Sequence, residues 1–386
     1  MFMKQLIYAD NAATTKLDSE AFEAMKPYLL EEYGNPSQPY SFSRSAKKAL
    51  SDARETIASC INADSDEIFF TSGGTESDNW AIKGIAYAFP EKKRIITTPI
   101  EHHAILNSCD VLNKQGFDVD YLQVDHEGIV GQFDLLNKLG QGATSLVSVM
   151  MANNEIGTIQ NISELAKIVH NHNVLFHTDA VQALGHIKVD VKRMGVDLLS
   201  ASAHKFNGPR GIGFLYVKKG TNILPYMNGG SQEKSMRAGT ENVAGIVGMA
   251  VALKKNVDSL EQNCKHLLNL EERIIGQLNA SGIDYIRNGS ESHLPGLINL
   301  SFKGFDGEAI LHRLDLMGIS ISTGAACDAR ITQISHVLKA IGLDAAYAKG
   351  AIRISFGKDN TIDEVDKIVE LLIKVSSEAS TKKQNS

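Results

Sequence analysis

The spacing of apolar residues changes along the chain, and the changes predict the order of helices and strands. Segments 19–33 and 43–60 have apolar residues at helical spacing, and each begins at a serine that suits a helix N-cap. Short, nearly continuous apolar runs follow at 67–71, 94–98, 144–150, 174–177 and 197–201. A further run at 211–217 indicates one more strand, whose direction the pattern leaves open. Because helix-length segments separate most of these runs, we predict an α/β layer with a mainly parallel sheet buried on both faces.

The pattern changes in the second half of the chain. From about residue 240 to 280 the apolar spacing is helical, and apolar runs at 297–302, 319–322 and 351–355 then alternate with helical stretches. We therefore predict two domains: a large α/β domain over 14–255, and a smaller α+β domain formed by 1–13 together with 256–386. The polar tail beyond residue 375 is expected to be poorly ordered.

Composition narrows the class of protein without indicating a function. The chain has 386 residues, of which 43% are hydrophobic and 22% charged, and this is typical of a globular protein. Its net charge of -6 gives no general attraction to nucleic acid or anionic lipid. No apolar run approaches the ~20 residues of a membrane span, and no secretory leader is visible, so we expect a cytoplasmic protein.

The four cysteines are scattered and form no CxxC pair, which favours reduced thiols over disulfides or a zinc site. Cys60, Cys109 and Cys264 fall in helix-like segments, where cysteine often packs as a small apolar residue. Cys327 differs because it lies in a segment rich in glycine and alanine after a predicted strand. A thiol among small residues suits a mobile nucleophile.

Residues with catalytic chemistry follow two of the predicted strands. Lys205 comes after the run 197–201, and Asp179 and Gln182 come after 174–177. Ligands of open α/β sheets bind at the carboxyl ends of the strands, so these side chains are expected to share a pocket. There an amine can bond an aldehyde, and a carboxylate can keep a pyridine nitrogen protonated. Taken singly, Lys205 fits an ordinary surface turn and Asp179 fits a helix N-cap.

Two further strand ends carry residues that suit a planar phosphorylated ligand. Gly73, Gly74 and Thr75 follow the run 67–71 and precede a predicted helix, where backbone amides and a hydroxyl can hold a phosphate. His102 and His103 follow the run 94–98, where one imidazole can stack on a ring and transfer protons. Taken singly, the glycines indicate only a tight turn, and either histidine can be an ordinary turn residue.

In this order the motifs resemble those of cysteine desulfurases of the NifS/IscS type, which have the aminotransferase-like fold of pyridoxal-phosphate enzymes. The resemblance covers nearly the whole chain. It rests on YADNAATT (8–15), GNPS (34–37), TSGGTES (71–77), EH (101–102), NNEIG (153–157), HTDAVQ (177–182), SAHK (202–205), MRAGT (236–240), the Cys327 segment, SHVL (335–338) and IRIS (352–355).

The resemblance implies pyridoxal 5′-phosphate as cofactor and L-cysteine as substrate. It implies that Lys205 bonds the cofactor aldehyde, that Asp179 pairs with the pyridinium nitrogen, and that His102 stacks on the ring and transfers protons. The other implied contacts are Gln182 and Asn154 to the ring hydroxyl, Gly74, Thr75, Ser202 and His204 to the phosphate, Thr240 to the phosphate from the other subunit of a homodimer, and Asn154 with Arg353 to the substrate carboxylate.

The implied reaction converts cysteine to alanine, while Cys327 receives the sulfur as a persulfide for an acceptor protein. That acceptor is an iron–sulfur scaffold or a tRNA-thiolation protein. Asp328 replaces a small hydroxyl residue of the family pattern, and the chain ends soon after the predicted helix 363–375 instead of continuing into a long docking tail. We therefore expect a dedicated acceptor that approaches the Cys327 segment directly. A selenocysteine lyase or cysteine-sulfinate desulfinase of the same fold, and a non-catalytic sulfur-relay subunit, remain as alternatives.

Overall fold

The structure is a computed structural model, and it describes residues 6–323 and 334–384, with side chains up to residue 375. The helices are α1 (Ser19–Leu30), α2 (Arg44–Cys60), α3 (Gly74–Ala88), α4 (His103–Lys114), α5 (Gln132–Leu139), α6 (Ile162–His170), α7 (Val191–Met194), α8 (Val243–Asp258), α9 (Leu260–Ser281), α10 (Gly307–Leu316), α11 (His336–Ala340), α12 (Ala345–Ala348) and α13 (Ile362–Gln384). The strands are β1 (Ile7–Tyr8), β2 (Ile68–Thr71), β3 (Arg94–Thr97), β4 (Asp118–Tyr121), β5 (Thr144–Ser148), β6 (Leu175–Asp179), β7 (Leu198–Ser202), β8 (Gly213–Val217), β9 (Tyr285–Asn288), β10 (Leu297–Phe302), β11 (Ile319–Ser320) and β12 (Ala351–Ser355).

The largest sheet has seven strands in the order β2-β8-β7-β6-β5-β3-β4. Strands β3 to β7 pair in parallel, whereas β8 is antiparallel to both of its neighbours. The short connection 203–212 returns the chain directly from β7 to β8, so this pair has to be antiparallel. The predicted mainly parallel sheet is therefore confirmed, and the direction that the pattern left open is settled.

Three described strands are missing from the sequence prediction: β4 and β9, which lie at sheet edges, and the two-residue strand β1. Strand β4 is mostly exposed and carries two aspartates, and β9 is only partly buried. An edge strand that faces solvent does not need the continuous apolar run that marks a central strand. The inner strands β3, β5, β7 and β8 are buried along their whole length, and so is β2 at the other edge of the large sheet, where an apolar run does mark the strand.

Apolar side chains form two main cores. The larger core lies between the seven-stranded sheet and helices that include α2, α6 and α8, and the smaller core joins α9, α10 and α13 to the antiparallel sheet β12-β10-β9. The long helical stretch of the sequence is two helices, α8 and α9, which meet at Ser259. The division of the chain at residue 255 stays a prediction.

Helix α13 differs from the sequence prediction because it continues to Gln384, past the expected end near residue 375. No glycine or proline interrupts 362–384, so the helix can extend through its polar end. Among the described helices, none combines the length and the apolar character needed to cross a bilayer.

Candidate active site

A cavity of about 500 Å³ opens where β5, β6 and β7 end. All of the predicted site residues except Thr240 and Cys327 line it. They are Gly74, Thr75, His102, Asn154, Asp179, Gln182, Ser202, His204, Lys205 and Arg353. Parallel strands bring their carboxyl ends to one edge of the sheet, so side chains far apart in the sequence meet there.

Lys205 ends a single helical turn after β7. Its Nζ donates hydrogen bonds to the carbonyl oxygens of Ala12 at 2.6 Å and Ala13 at 2.8 Å. The Nε2 of Gln182 donates to the same oxygen of Ala12 at 2.8 Å. The N-terminal segment therefore holds two predicted cofactor residues against the wall of the cavity, and Lys205 is not an ordinary surface lysine.

Asp179 is the last residue of β6 and is almost fully buried. Its Oδ1 accepts a hydrogen bond from the Val181 amide at 2.8 Å, so the carboxylate also caps the turn that follows the strand. Burial raises the pKa of Asp179, while the Val181 amide and the positive charge of Lys205 act in the opposite direction. A cation near this carboxylate favours its ionised form.

A buried polar cluster that no sequence pattern marks adjoins Asp179. His177 Nδ1 lies 2.8 Å from Ser148 Oγ and its Nε2 lies 3.0 Å from Ser200 Oγ, with Asp78 Oδ1 3.8 Å from the same Nε2. Burial lowers the pKa of His177 to about 3, and burial together with the Asp179 charge raises the pKa of Asp78 well above its usual value. Burial therefore favours the neutral form of both groups, whereas the positive charge of Lys205 favours the ionised form of Asp179.

One end of the cavity, here called the glycine end, consists of the loop 72–75 with Ser202 and His204. Gly73 has φ +150°, a conformation that side chains rarely adopt, and Gly74 begins α3. A Cβ atom on Gly74 would lie 2.6 Å from Cγ2 of Val181, so only glycine fits there without a shift. The free amides at the start of α3 point a partial positive charge at this end.

His204 completes the glycine end from the turn after β7. Its Nδ1 lies 3.2 Å from Thr14 Oγ1, and burial lowers its pKa to about 4. Arg210 also lines the cavity, and its Nε donates to the same Thr14 hydroxyl at 3.3 Å. Backbone amides, hydroxyls and a guanidinium therefore converge on a region that suits an anion.

His102 forms the N-cap of α4, and its Nδ1 accepts a hydrogen bond from the Ala104 amide at 3.1 Å. Burial, followed by the charge of Lys205, lowers the pKa of His102 to about 4. The neutral ring therefore carries its proton on Nε2. The preceding residue, Glu101, is buried and its Oε1 accepts from Thr98 Oγ1 at 2.7 Å and from the Met150 amide at 2.9 Å, which fixes the turn that carries His102.

The other end of the cavity, here called the arginine end, consists of Asp10, Asn154 and Arg353. Arg353 projects from β12, and its two terminal nitrogens donate to the Asn154 carbonyl oxygen at 2.8 Å and to Asp10 Oδ1 at 2.7 Å. Its Nε is buried and has no hydrogen-bond partner in the described part of the chain. A buried guanidinium with a spare donor is suited to a carboxylate ligand.

Two predicted site residues are not among the residues that line the cavity. Thr240 is exposed in the single chain. Cys327 and its neighbour Asp328 lie outside the described residues. Ser322, five positions before Cys327, does line the cavity, and its amide donates to the Arg353 carbonyl oxygen at 3.0 Å.

No sequence pattern selects several charged residues that line the cavity or pair with a residue that does. Asp10 lies inside the YADNAATT motif, but its pairing with Arg353 depends on a contact between the two ends of the chain. Asp78 lies one helical turn after Thr75, a spacing that places both on one side of α3. Arg210 has no distinguishing pattern beyond its position after Lys205.

Comparison with known proteins identifies the family. The sequence pattern of the aminotransferase class-V family matches residues 7–368 of this chain. The chain belongs to this family. It is 48% identical over 383 residues to a cysteine desulfurase IscS of Dictyoglomus turgidum, and the match covers 97% of each chain. A cysteine desulfurase IscS of Methanosarcina thermophila is 45% identical over 95% of this chain and 91% of its own.

Solved structures agree with this assignment. A NifS-like protein superposes with a TM-score of 0.91 at 40% identity, over 97% of this chain and 100% of that chain. SspA in complex with cysteine superposes with a TM-score of 0.81 at 34% identity, over 92% of this chain and 100% of that one. The predicted fold class and the predicted membership among cysteine desulfurases are confirmed, and the protein is an enzyme.

Enzymes of the class-V aminotransferase family use pyridoxal phosphate, and the cavity residues fit that group. At the glycine end, Gly74 lets the start of α3 pack closely against Val181, where a Cβ would collide, and the residues that begin this helix line the cavity. Lys205 and the buried Asp179 line the same cavity, so an amine and a carboxylate face one ligand. This donor set matches an aldehyde, a pyridine nitrogen and a phosphate.

Proposed function

We propose that this cysteine desulfurase binds pyridoxal 5′-phosphate in the cavity and converts L-cysteine to L-alanine, with transfer of the sulfur to Cys327. The observation that carries the proposal is that Lys205, Asp179 and Arg353 line one cavity of about 500 Å³. That volume is in the usual range for a site that holds a cofactor and a small substrate.

Each part of the cofactor has a matching group in the cavity. Lys205 would bond the aldehyde and Asp179 would pair with the ring nitrogen. The remaining residues that would hold the cofactor are Gln182 and Asn154 at the ring hydroxyl, Gly74, Thr75, Ser202 and His204 at the phosphate, and His102 at the ring face. The bound cofactor supplies an electron sink for the carbon next to the substrate carboxylate.

Arg353 and Asn154 would orient the amino acid at the arginine end. The guanidinium is already positioned by Asp10 and by the Asn154 carbonyl, so little side-chain freedom is lost when a carboxylate binds. Lys205 Nζ is the group that would take the Cα proton, and His102 would exchange its proton at Nε2. A fixed carboxylate and a fixed base reduce the entropy that the reaction must lose.

Sulfur transfer requires a nucleophile, and Cys327 is the cysteine that adjoins the cavity in sequence. Five residues span at most about 17 Å, so a thiol five positions after Ser322 is within reach of the cavity. The Cys327 thiolate would attack the substrate sulfur. The bond between that sulfur and Cβ breaks, Cβ keeps the electron pair and takes a proton, Cα regains the proton that Lys205 would have removed, and the products are alanine and a Cys327 persulfide.

The protein would act as a homodimer in which Thr240 completes the phosphate site of the other subunit. The support is that Thr240 is exposed in one chain while its predicted ligand belongs in a buried cavity. Mixing two variants tests this. Lys205→Ala and Thr240→Val homodimers should both be impaired. A mixed dimer contains one complete site of two, and random exchange makes about half of the dimers mixed, so activity should recover to at most about a quarter of the wild-type value. No recovery after proven subunit exchange would exclude the shared site.

The acceptor of the persulfide would be a small protein that reaches the Cys327 segment directly. An iron–sulfur scaffold and a tRNA-thiolation protein are the two classes to compare. The test is to load the enzyme with labelled sulfur and to offer each acceptor separately. Preferential transfer to the tRNA-thiolation protein supports a dedicated acceptor, and preferential transfer to the scaffold contradicts it.

The deciding experiment is incubation with L-cysteine and a reductant, followed by measurement of alanine and sulfide. The wild-type protein should form both in equal amounts. Cys327→Ala should still change its absorbance spectrum when cysteine is added, but should form alanine at least about 100-fold more slowly, because only the nucleophile is lost.

Cys264→Ala is the control, since Cys264 lies in α9 and its Sγ contacts the His186 carbonyl oxygen at 3.3 Å. It should retain activity. Undiminished turnover of cysteine by Cys327→Ala would refute the sulfur-transfer step. Turnover of selenocysteine alone by that variant would indicate a selenocysteine lyase.

A further inference from the structure

An ion pair lies beside the glycine end of the cavity. Glu76 is in the first turn of α3, directly after Thr75, and it lines the cavity. Its Oε1 accepts a hydrogen bond from Arg237 Nε at 2.7 Å, and its Oε2 accepts from the Nη2 of the same guanidinium at 3.1 Å. The Glu76 side chain is 9% exposed and that of Arg237 is 20% exposed. The two side chains form a bidentate pair that is largely shielded from water.

The carboxylate of Glu76 also holds the glycine loop. Its Oε2 accepts a hydrogen bond from the Ser72 amide at 2.8 Å, which folds the side chain back over the start of α3. The next residue in the loop is Gly73, with φ +150°. Glu76 is therefore bonded to the loop whose amides would contact the phosphate, and Arg237 is bonded to Glu76.

This arrangement places a negative charge where an anion has to bind. Burial raises the pKa of Glu76, but the hydrogen bonds from Arg237 and Ser72 outweigh that effect and hold the pKa below its usual value. Glu76 is therefore ionised near pH 7. An unpaired carboxylate at this position would repel a phosphate, and the repulsion would be strong because the site is partly desolvated.

Arg237 is available to neutralise Glu76 because the acidic residue of its own segment, 231–240, is already paired with another arginine. Glu233, four residues earlier, bonds Arg54 through both oxygens at 2.6 and 2.8 Å. The segment 231–240 is thus fastened to α2 by one ion pair and to the first turn of α3 by another. It does not line the cavity in the single chain.

We propose that Glu76 and Arg237 act together as positioning residues for the cofactor phosphate. Glu76 shapes the loop through the Ser72 amide, and Arg237 cancels the charge that this carboxylate would otherwise direct at the phosphate. The inference rests on the proposed function, because it needs a phosphorylated ligand at the glycine end. Neither residue bonds the ligand in this account, so each acts through the loop and the local charge.

A charge-cancelling role predicts effects of opposite sign for the two residues. Arg237→Gln leaves Glu76 unpaired, so the dissociation constant of pyridoxal phosphate should rise about tenfold or more. Glu76→Gln keeps an acceptor for Ser72 and removes the negative charge, so binding should be no weaker than in the wild type. The double variant Glu76→Gln/Arg237→Gln should recover to within about threefold of the wild type.

The experiment measures binding to the apoenzyme by absorbance and fluorescence titration, without any assay of turnover. Each variant is titrated with pyridoxal phosphate and with pyridoxal, which has the same ring and aldehyde but no phosphate. Pyridoxal should bind all of the variants to within about threefold of the wild type, since only the phosphate senses the carboxylate. Melting of each apoenzyme is recorded to show that it is folded.

Arg273→Gln is the matched control. Arg273 in α9 and Asp366 in α13 form an exposed pair of the same geometry, at 2.7 and 3.0 Å. Its loss should leave both dissociation constants unchanged. The proposal is overturned if Arg237→Gln binds pyridoxal phosphate normally, if it weakens pyridoxal equally, or if the double variant is as weak as the single one. Failure of the wild type to bind pyridoxal phosphate would instead refute the proposed function itself.

Discussion

The glycine end and the arginine end of the cavity are built from different kinds of element. The glycine end consists of a loop and turns that directly follow two strands of one sheet, and its groups are mainly backbone amides and short side chains. The arginine end joins Asp10 near the N-terminus, Asn154 after β5, and Arg353 on β12 of a separate sheet.

The difference shows how one cavity can bind two ligands by separate means. The glycine end is built on the sheet of the large core and uses no residue of the second core. The arginine end exists only where that core meets the N-terminal segment, and its single guanidinium carries most of its binding chemistry. Substitutions should therefore separate cofactor binding from substrate binding.

The largest effect is expected at Lys205, which serves both ends. Lys205→Ala should reduce alanine formation by at least about 1000-fold, because the amine proposed to bond the aldehyde and to move the Cα proton is lost. Lys192→Ala, which removes an exposed lysine paired with Asp64 at 2.9 Å, is the control and should remain active. Borohydride reduction and peptide mapping should place the cofactor on the peptide of Lys205, and a label elsewhere would contradict the assignment.

The next effect isolates the arginine end. Arg353→Lys should raise the KM for cysteine about 100-fold, because a single ammonium cannot replace a bidentate fork, and should change the dissociation constant of the cofactor less than about threefold. Asp10→Asn should raise KM about tenfold, since Asp10 only orients the guanidinium. Steady-state kinetics at saturating cofactor measures both. Equal losses of cofactor and substrate affinity would show that the two ends are not independent.

The pH dependence of stability tests His102, which lines the cavity. In the native protein its pKa is about 4, below the ordinary value of 6.5, so the unfolded chain binds more protons between these values. The stabilisation is therefore complete above about pH 6.5 and is lost as the pH falls toward 4. His102→Gln should reduce the slope of unfolding free energy in this window by up to about 1.4 kcal/mol per pH unit. Urea denaturation of each apoenzyme at several pH values measures how the unfolding free energy depends on pH. Equal slopes for the wild type and His102→Gln would contradict the expectation.

The smallest effect isolates the glycine end. Gly74→Ala should raise the dissociation constant of pyridoxal phosphate about tenfold, because its Cβ would meet Val181 Cγ2 at 2.6 Å, and should leave the KM for cysteine unchanged at saturating cofactor. Gly276→Ala in α9 is the control, since no heavy atom lies within 4 Å of its added Cβ. It should stabilise the protein by about 0.5–1 kcal/mol and leave both constants unchanged. If Gly74→Ala changed only the KM for cysteine and not the dissociation constant of pyridoxal phosphate, the glycine end would serve the substrate and not the cofactor.

Sequence reasoning was most successful where a residue follows a buried strand. Lys205, Asp179 and Gly74 each stand directly after an apolar run, and the rule that ligands bind at the carboxyl ends of parallel strands is enough to bring them together. Thr240 could be selected only by resemblance to a family, because its segment carries no such pattern. The same is true of Arg353, which lies within a strand.

Residues that act through other residues were not visible in the sequence. Asp78 and His177 are close only because α3 packs across the sheet, and Glu76 finds Arg237 far away along the chain. Their spacing in sequence reflects loop lengths and not chemistry, so no local rule selects them. The edge strands β4 and β9 were missed for a related reason, since exposure weakens the apolar pattern.

Local order along the chain was sufficient for the α/β architecture, the strand-end chemistry and the family, because apolar periodicity and strand–turn–helix motifs depend on near neighbours. Folding was needed to pair Arg353 with Asp10, to set Lys205 against Ala12 and Ala13, and to shift the pKa values of His102 and Asp179. These properties arise from burial and from contacts between distant segments, and neither exists until the two cores and the N-terminal segment have packed together.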